Sequence, residues 1–173
     1  SPTGTVFDFS SDLTRSLGGG RVVQPDDRVG TCATSFRYAA GDAARRKRSV
    51  HTWASKPLAS AAETAMTNGR AIVTLHTATA TGEPAPGRVC ITLWRKSTGE
   101  VLGSTDYALP MWADEPTGLS VAFDTLHTTL PAGERLMLTV RVPEGADAVS
   151  LFYDHAAYPS SLTMAMEQGS PLS

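Results

Sequence analysis

An alternation of apolar and polar residues that begins at Arg70 limits most strongly how this chain can fold. Successive side chains of a β-strand point to opposite faces of a sheet, so a period of two predicts strands with one buried face. In one of these strands Cys90, Thr92 and Trp94 are predicted to lie on the outer face. The inward positions predict a core made of Val73, Leu75, Val89, Ile91, Leu93, Leu119, Val121, Phe123, Leu136, Leu138, Val140 and Leu151.

Turn signals separate these alternating segments. Residues 115–118, 130–133 and 142–145 all read X-Pro-X-Gly. Pro presets φ at the second position of a type I turn and Gly suits the fourth, so each segment predicts such a turn. Residues 96–99, Lys-Ser-Thr-Gly, predict a hairpin turn. Short strands at this spacing predict an all-β fold, an antiparallel two-sheet jelly-roll sandwich.

Two segments do not follow the alternation. Residues 58–68 have high helix propensity, but they also alternate tolerably and end in the turn signal Asn68-Gly69, so we favour a strand over a helix. Residues 1–48 have no regular pattern and are predicted to form an irregular N-terminal arm packed on a jelly-roll sandwich of residues 49–173. Trp53 and Trp94 are predicted to be packing residues, and the arm is predicted to cover Trp94 and Thr92 on the outer face. The chain is then one domain, as its 173 residues suggest.

Charge limits the partners. The net charge is −2, which gives no general electrostatic attraction to nucleic acid, and we predict none. Residues 45–48, Arg-Arg-Lys-Arg, form a basic run that is either a solvated loop or a contact for phosphate-bearing wall polymer or lipid headgroups. No apolar run is long enough to span a membrane, so membrane attachment is expected only through an anchor outside this fragment.

The two cysteines, Cys32 and Cys90, are either buried thiols or a disulfide. They are too few for a zinc site and too far apart for a CxxC redox motif. We favour the disulfide, because an even cysteine count in a β-domain of secreted character fits an oxidising compartment. The predicted location is therefore extracytoplasmic.

No cofactor is predicted, although Ca²⁺ is a weak alternative. Calcium needs several converging oxygen ligands. The cluster of Asp26, Asp27 and Asp42 is the one set of acidic residues that we consider for it.

No catalytic motif is recognisable in the sequence. There is no GxSxG elbow, no HExxH and no Gly-rich phosphate loop. Asp154 and His155 are adjacent, and adjacent residues of a strand point to opposite faces, so they are not expected to work together. We predict that the domain is not an enzyme, and the remote alternative is a hydrolase whose site is assembled from distant residues.

Trp112 is the best candidate for a sugar-binding residue. The flat apolar face of an aromatic ring matches the C–H face of a pyranose. Trp112 lies in a segment rich in Pro and acidic residues that we expect to be a loop, and Tyr107 and Asp114 are nearby polar partners. The alternative is that Trp112 packs over the end of the sandwich. An exposed ring would favour glycan binding, whereas a buried ring would favour a structural role.

Four segments resemble a known fold: TWASKPLA (52–59), NGRAIVTLHT (68–77), LPAGERLMLTV (130–140) and LFYDHAAYPSSL (151–162). They resemble the galactose-binding-like jelly-roll sandwich at the C-terminus of X-prolyl dipeptidyl peptidase and cocaine-esterase type hydrolases. Similar modules look to occur in actinobacterial extracytoplasmic proteins of unassigned function. The resemblance implies a fold, and the peptidase activity does not transfer, because the serine-bearing α/β-hydrolase domain is not in this sequence.

Two classes of function therefore stay open. The first is a non-catalytic extracytoplasmic binding or accessory domain, with a glycan or a cell-wall polymer as its partner. The second is a structural or interaction domain of a cell-surface protein. The state of Trp112 separates them.

Overall fold

β-Strands make up nearly all of the structure, a computed structural model that describes residues 3–8, 20–25, 32, 49–55, 57, 64–65, 69–126, 129–152 and 161–168. Within these residues the strands pair antiparallel into two sheets, which confirms the predicted all-β sandwich. The strands are β1 (Thr3–Asp8), β2 (Gly20–Val23), β3 (Val50–Ala54), β4 (Thr64–Ala65), β5 (Gly69–Thr79), β6 (Ala85–Arg95), β7 (Val101–Trp112), β8 (Thr117–Leu126), β9 (Thr129–Leu130), β10 (Leu136–Arg141), β11 (Val149–Phe152) and β12 (Ser161–Gln168).

The larger sheet is organised around β5. One side of β5 pairs with β8. On the other side, β11 pairs with residues 76–79 and β12 pairs with residues 71–74, so these two short strands follow each other along β5. β2 pairs with β11 and β1 pairs with β12, each on the side away from β5. β4 pairs with the last two residues of β12, and β9 pairs with β4.

The smaller sheet has the order β3-β10-β6-β7. The turn at residues 96–99 joins β6 to β7, as the sequence predicts, and Arg95 N donates to Glu100 O at 2.9 Å there. β6 and β10 lie inside the sheet, and β7 lies at its end.

The core lies between the two sheets, and its composition follows from the alternation. All twelve predicted core residues are buried, from Val73 on β5 to Leu151 on β11. Trp53 and Trp112 are also buried in this layer. The period of two is enough to identify the inward faces, because each strand presents one face to the opposite sheet.

The Pro-Gly turns form one residue later than predicted. At residues 131–134, Glu134 N donates to Pro131 O at 3.2 Å, so Pro is the first residue of the turn and Gly133 the third. The φ of Gly133 is +82°, the left-handed value that the third position of a type II turn requires. Residues 143–146 repeat this arrangement. The third predicted turn does not form, because the chain enters β8 at Thr117.

Two predictions concern segments that the structure describes only in part. Of residues 1–48, β1 and β2 are outer strands of the larger sheet, and the division between an arm and a sandwich at residue 48 stays a prediction. Of residues 58–68, only Thr64–Ala65 is described and forms β4. The choice between helix and strand for the rest of that segment lies outside the described residues.

Cys32 and Cys90 form the predicted disulfide, at a sequence separation of 58 and with their Cα atoms 5.3 Å apart. Cys90 lies on the outer face of β6, in register with Arg141 on β10. Arg141 Nη2 donates to Cys90 Sγ at 3.6 Å. Cys90, Arg141 and the neighbouring Val50 are all buried, so the outer face is covered at the level where Cys32 is attached.

A buried carboxylate fixes the start of β10 to the β6–β7 hairpin. Arg95 donates to Glu134 Oε2 from Nε at 3.1 Å and from Nη2 at 3.0 Å. The backbone N–H groups of Ser97 and Arg135 donate to Oε1 at 3.1 and 3.0 Å, and the Ser97 hydroxyl donates to Oε2. The charge is therefore removed from water but fully hydrogen-bonded.

These hydrogen bonds determine the protonation of Glu134. Burial alone would raise the pKa of Glu134, but the hydrogen bonds from Ser97, Arg95 and Arg135 outweigh it and hold the pKa below its usual value. Because this pKa is lower in the folded chain than in the unfolded chain, the ionised carboxylate stabilises the fold above the unfolded pKa. That stabilisation is lost as the pH falls through the folded pKa.

We expect Glu134→Gln to lower the free energy of unfolding by about 2–3 kcal/mol near neutral pH, because Arg95 then loses its buried counter-charge. Below about pH 4 the difference from wild type should shrink, since the wild-type carboxyl is then protonated as well. Urea unfolding at several pH values measures both effects. The matched control is Glu100→Gln, which faces the same arginine with a 54% exposed side chain and should change stability by less than about 0.5 kcal/mol. Equal losses in the two variants, or a difference that does not depend on pH, would contradict this assignment.

Removing the disulfide with Cys32→Ala and Cys90→Ala together is expected to lower the free energy of unfolding by about 4 kcal/mol, because a closed loop of this length restricts the unfolded chain. Urea unfolding of the variant and of the oxidised wild type measures the difference. Alkylation of the native, unreduced protein followed by intact-mass analysis should add no label. Two labelled thiols in that protein would show that the bond does not form.

Candidate functional site

Trp112, the predicted sugar-stacking residue, is buried. Residues 107–112 belong to β7 and do not form the expected loop. Only 2% of the Trp112 surface is exposed. Of the two alternatives for this residue, an open sugar-stacking ring and a ring packed on the sandwich, its burial supports the second.

A β-bulge near Pro110 explains the burial of Trp112. Leu109 pairs with Gly87, whereas Trp112, three residues further along β7, pairs with Ala85, only two residues away on β6. The extra residue on β7 shifts the alternation, so Trp112 points inward like Tyr107. Pro has no N–H for the ladder and occurs in strands at edges and bulges, so Pro110 was the signal in the sequence that could have revealed the shift.

The Trp112 side chain joins the two sheets. Its Nε1–H donates to Oγ1 of Thr77, on the opposite sheet, at 2.9 Å. Tyr107 packs edge-to-face against it, with ring centroids 5.8 Å apart and ring planes at 90°. A Cβ atom at position 87 would lie 2.5 Å from Trp112 Cε3, so Gly87 leaves the space that the ring occupies. The Trp112 indole is therefore a packing group that joins the two sheets.

The three predicted ligand-binding residues do not form an open platform. Tyr107 is half-buried against Trp112, and Asp114 is exposed in the bend that follows β7. The polar atom of Trp112 is already bonded to Thr77. The buried ring favours the structural or interaction class over glycan binding at this position.

The remaining predicted sites lie outside the described residues. These are the calcium candidates Asp26, Asp27 and Asp42, the basic run 45–48, and the pair Asp154 and His155. Within the described ranges, no three His, Cys, Asp or Glu side chains come close enough to hold a metal ion. A separate search of the same ranges finds no helix with the length and apolarity to cross a membrane.

The outer face of the smaller sheet contains three parallel rows of side chains that cross all four strands. The disulfide row is Val50, Arg141, Cys90 and Asp106. The hydroxyl row is Thr52, Thr139, Thr92 and Ser104. The apolar row is Ala54, Met137, Trp94 and Val101. Neighbouring strands lie ~4.8 Å apart, so each row is ~14 Å long.

The hydroxyl and apolar rows are partly open to solvent. Thr52 is exposed, and Thr92, Thr139 and Trp94 are half-buried. The sequence predicted that the N-terminal arm covers Trp94 and Thr92, but residues 33–48 lie outside the described residues. Trp94, which the sequence suggested was a packing residue, is thus the one of the three tryptophans that is not fully buried.

Hydrogen bonds connect the members of the two rows. Trp94 Nε1 donates to Thr139 Oγ1 at 2.9 Å, which fixes the indole against the hydroxyl row. Thr139 Oγ1 also lies 3.2 Å from Thr52 Oγ1, and Thr92 Oγ1 lies 3.3 Å from Ser104 Oγ. The side chains of this surface are therefore held in place before any partner arrives.

Charged groups lie beside these rows and bind each other. Arg88 on β6 makes a bidentate ion pair with Asp106 on β7. The hydrogen bond from Arg88 lowers the pKa of Asp106, and the same contact raises the pKa of Arg88. The hydroxyl and apolar rows themselves contain no ionisable side chain.

The end of β7 forms a second surface of interest. Residues 108–111, which we call the β7 edge, are four consecutive exposed residues, Ala-Leu-Pro-Met. Leu109 is 36% exposed and Met111 is 63% exposed, the highest exposure of any large hydrophobic side chain in the described part of the chain. This segment lies between Tyr107 and Trp112, which pack against the core.

No protein-family model matches this chain, and no curated protein matches it significantly. Several solved structures are similar to it in fold. An aminopeptidase from marine sediment archaeon Thaumarchaeota archaeon is similar over 95% of this chain and 37% of its own, with a TM-score of 0.66 and 11% identity. An alpha-amino acid ester hydrolase is similar over 86% of this chain and 32% of its own, with a TM-score of 0.57 and 14% identity. A CocE/NonD family hydrolase from Staphylococcus aureus is similar over 96% of this chain and 37% of its own, with a TM-score of 0.54 and 10% identity.

The chain spans about a third of the length of these proteins. At such low sequence identity the likeness is one of fold and does not extend to activity. The chain is thus a β-sandwich that resembles the C-terminal regions of aminopeptidase and CocE/NonD hydrolases, as its sequence motifs predict.

Proposed function

We propose that this chain is a non-catalytic accessory domain of an extracytoplasmic protein, and that it contacts a neighbouring domain of the same polypeptide through the β7 edge. The main support is the exposure of two large apolar side chains, Leu109 and Met111, within three residues at the end of the sheet. Large apolar side chains that are exposed close together mark an interaction site more often than isolated ones do.

The β7 edge is held in position by its neighbours. Tyr107 and Trp112 pack into the core on either side of it, and the bulge at Pro110 turns Met111 outward. Met111 therefore cannot turn inward without removing Trp112 from the core. Pro110 also removes one N–H from the strand, which favours side-chain contacts over the addition of another strand.

An accessory role is further supported by the scale of the fold likeness. The same sandwich is about a third of each similar hydrolase. A region of that size within a larger protein has a face toward the rest of the chain, and inter-domain contacts of this type are partly apolar.

The contacts of His51 support a non-catalytic role. His51 is buried on β3, and Arg21 Nη1 lies 3.0 Å from its Nδ1. A guanidinium only donates hydrogen bonds, so Nδ1 accepts, and a catalytic triad would instead need a carboxylate that accepts from this nitrogen. Trp53 packs edge-on against the imidazole at 4.3 Å between ring centroids.

An extracytoplasmic location is supported by the disulfide between Cys32 and Cys90. Disulfides persist in oxidising compartments and are reduced in most cytosols. One of the three rows on the outer face of the smaller sheet is organised around this bond, since Cys90 and Arg141 are buried together. Any function that depends on this buried row therefore requires that the bond between Cys32 and Cys90 is formed.

Oxidation of Met111 by peroxide tests the proposal. In this chain alone Met111 is expected to form the sulfoxide readily, because its side chain is exposed. In the longest natural polypeptide that contains this domain, we expect oxidation of Met111 to slow by about 10-fold, because the partner covers it. Peptide mass spectrometry measures both rates, with the half-buried Met137 as an internal reference.

Variants show whether the protection comes from the β7 edge. Leu109→Glu should restore rapid oxidation of Met111 in the longer polypeptide, because a charge prevents apolar contact at this edge. Val22→Glu is the matched control, since Val22 is 44% exposed but lies on β2 in the other sheet, and it should leave the protection unchanged. Equal oxidation rates in the short and long polypeptides would contradict the proposal.

A further inference from the structure

We infer that the hydroxyl row and the apolar row together bind a neutral oligosaccharide that lies across the strands of the smaller sheet, with Trp94 as the stacking residue. This surface is separate from the β7 edge, so the inference does not depend on the accessory role. The proposed stacking residue is Trp94, whose indole is partly open to solvent, and not Trp112, which is buried.

The two rows match the two kinds of surface that a pyranose presents. A sugar ring has an apolar C–H face and a rim of hydroxyl groups, and the first packs on an aromatic ring. Trp94 lies between Met137 and Val101 in the apolar row, and directly beside it runs the hydroxyl row. A sugar on Trp94 would therefore place its rim within reach of hydroxyl groups that both donate and accept.

The indole is oriented before binding. The hydrogen bond from Trp94 Nε1 to Thr139 Oγ1 uses the polar edge of the ring, so the apolar part of the ring is what remains for a ligand. Thr92 and Ser104 bond to each other on the β7 side, and Thr52 and Thr139 do so on the β3 side. A preorganised surface loses little conformational entropy when it binds.

The length and the charge of the surface indicate the size and the charge of the ligand that fits it. A row of ~14 Å accommodates several linked rings, so an oligosaccharide fits better than a monosaccharide. Neither row contains an ionisable side chain, and Arg88 and Asp106, beside the hydroxyl row, form an ion pair with each other. The side chains of the two rows therefore bind through hydroxyl groups and apolar contacts, which suits an uncharged chain.

Titration of the oxidised protein with neutral hexasaccharides tests the inference, with β-1,4-glucan, β-1,3-glucan, xylan and chitin hexamers as the probes. We expect at least one of them to bind with a Kd in the range of about 0.01–1 mM and to shift the indole N–H resonance of Trp94 while those of Trp53 and Trp112 stay in place. Trp94→Phe assigns that resonance. Added salt should change the Kd by less than about 2-fold, since no ion pair forms.

Trp94→Ala should weaken binding by about 10-fold or more, because the stacking surface is lost. Thr92→Val keeps the shape of the side chain and should weaken binding by about 3- to 10-fold through the lost hydroxyl, which keeps the test valid if Trp94→Ala unfolds. Val22→Ala, on β2 of the larger sheet, is the control and should bind like wild type. The inference is overturned if none of the probes binds, as would follow if residues 33–48 covered the rows. It is also overturned if binding survives both Trp94→Ala and Thr92→Val.

Discussion

The structure depends on β6, a strand that is buried along its inner face and, at Cys90, on its outer face as well. β6 places Val89, Ile91 and Leu93 in the core, and on its other face Cys90 is buried under the disulfide. A strand with a single buried face would need no covalent link there, because its outer side chains would be solvated. The bond to Cys32 makes the outer face of the smaller sheet part of the fold.

The disulfide also divides that outer face. The disulfide row is buried at Val50, Cys90 and Arg141, whereas the next two rows are open in part. Trp94 lies four residues after Cys90 on the same face, far enough from the bond to be reached by solvent. The covered part stabilises the chain, and the open part is available for binding. Both follow from the position of a single cysteine in an alternating strand.

The sequence was informative where side-chain alternation is regular and was misleading where it breaks. Leu136, Leu138 and Val140 could be assigned to the core because nothing interrupts their strand. Trp112 could not, because the extra residue near Pro110 reverses the direction of every side chain after it, and a bulge leaves only a weak signal in a single sequence. The rows on the outer face depend on register between β3, β10, β6 and β7, and register comes from pairing partners that are distant in sequence. The disulfide was predictable, since only two cysteines exist to pair.

Trp94 is the tryptophan that is partly open to solvent, whereas Trp112 joins the two sheets. Limited oxidation of the native protein with N-bromosuccinimide, followed by peptide mass spectrometry, measures the reactivity of each of the three tryptophans. We expect Trp94 to be modified first, and Trp53 and Trp112, each 2% exposed, to be protected until the protein unfolds. Modification of Trp112 as fast as that of Trp94 would contradict this expectation.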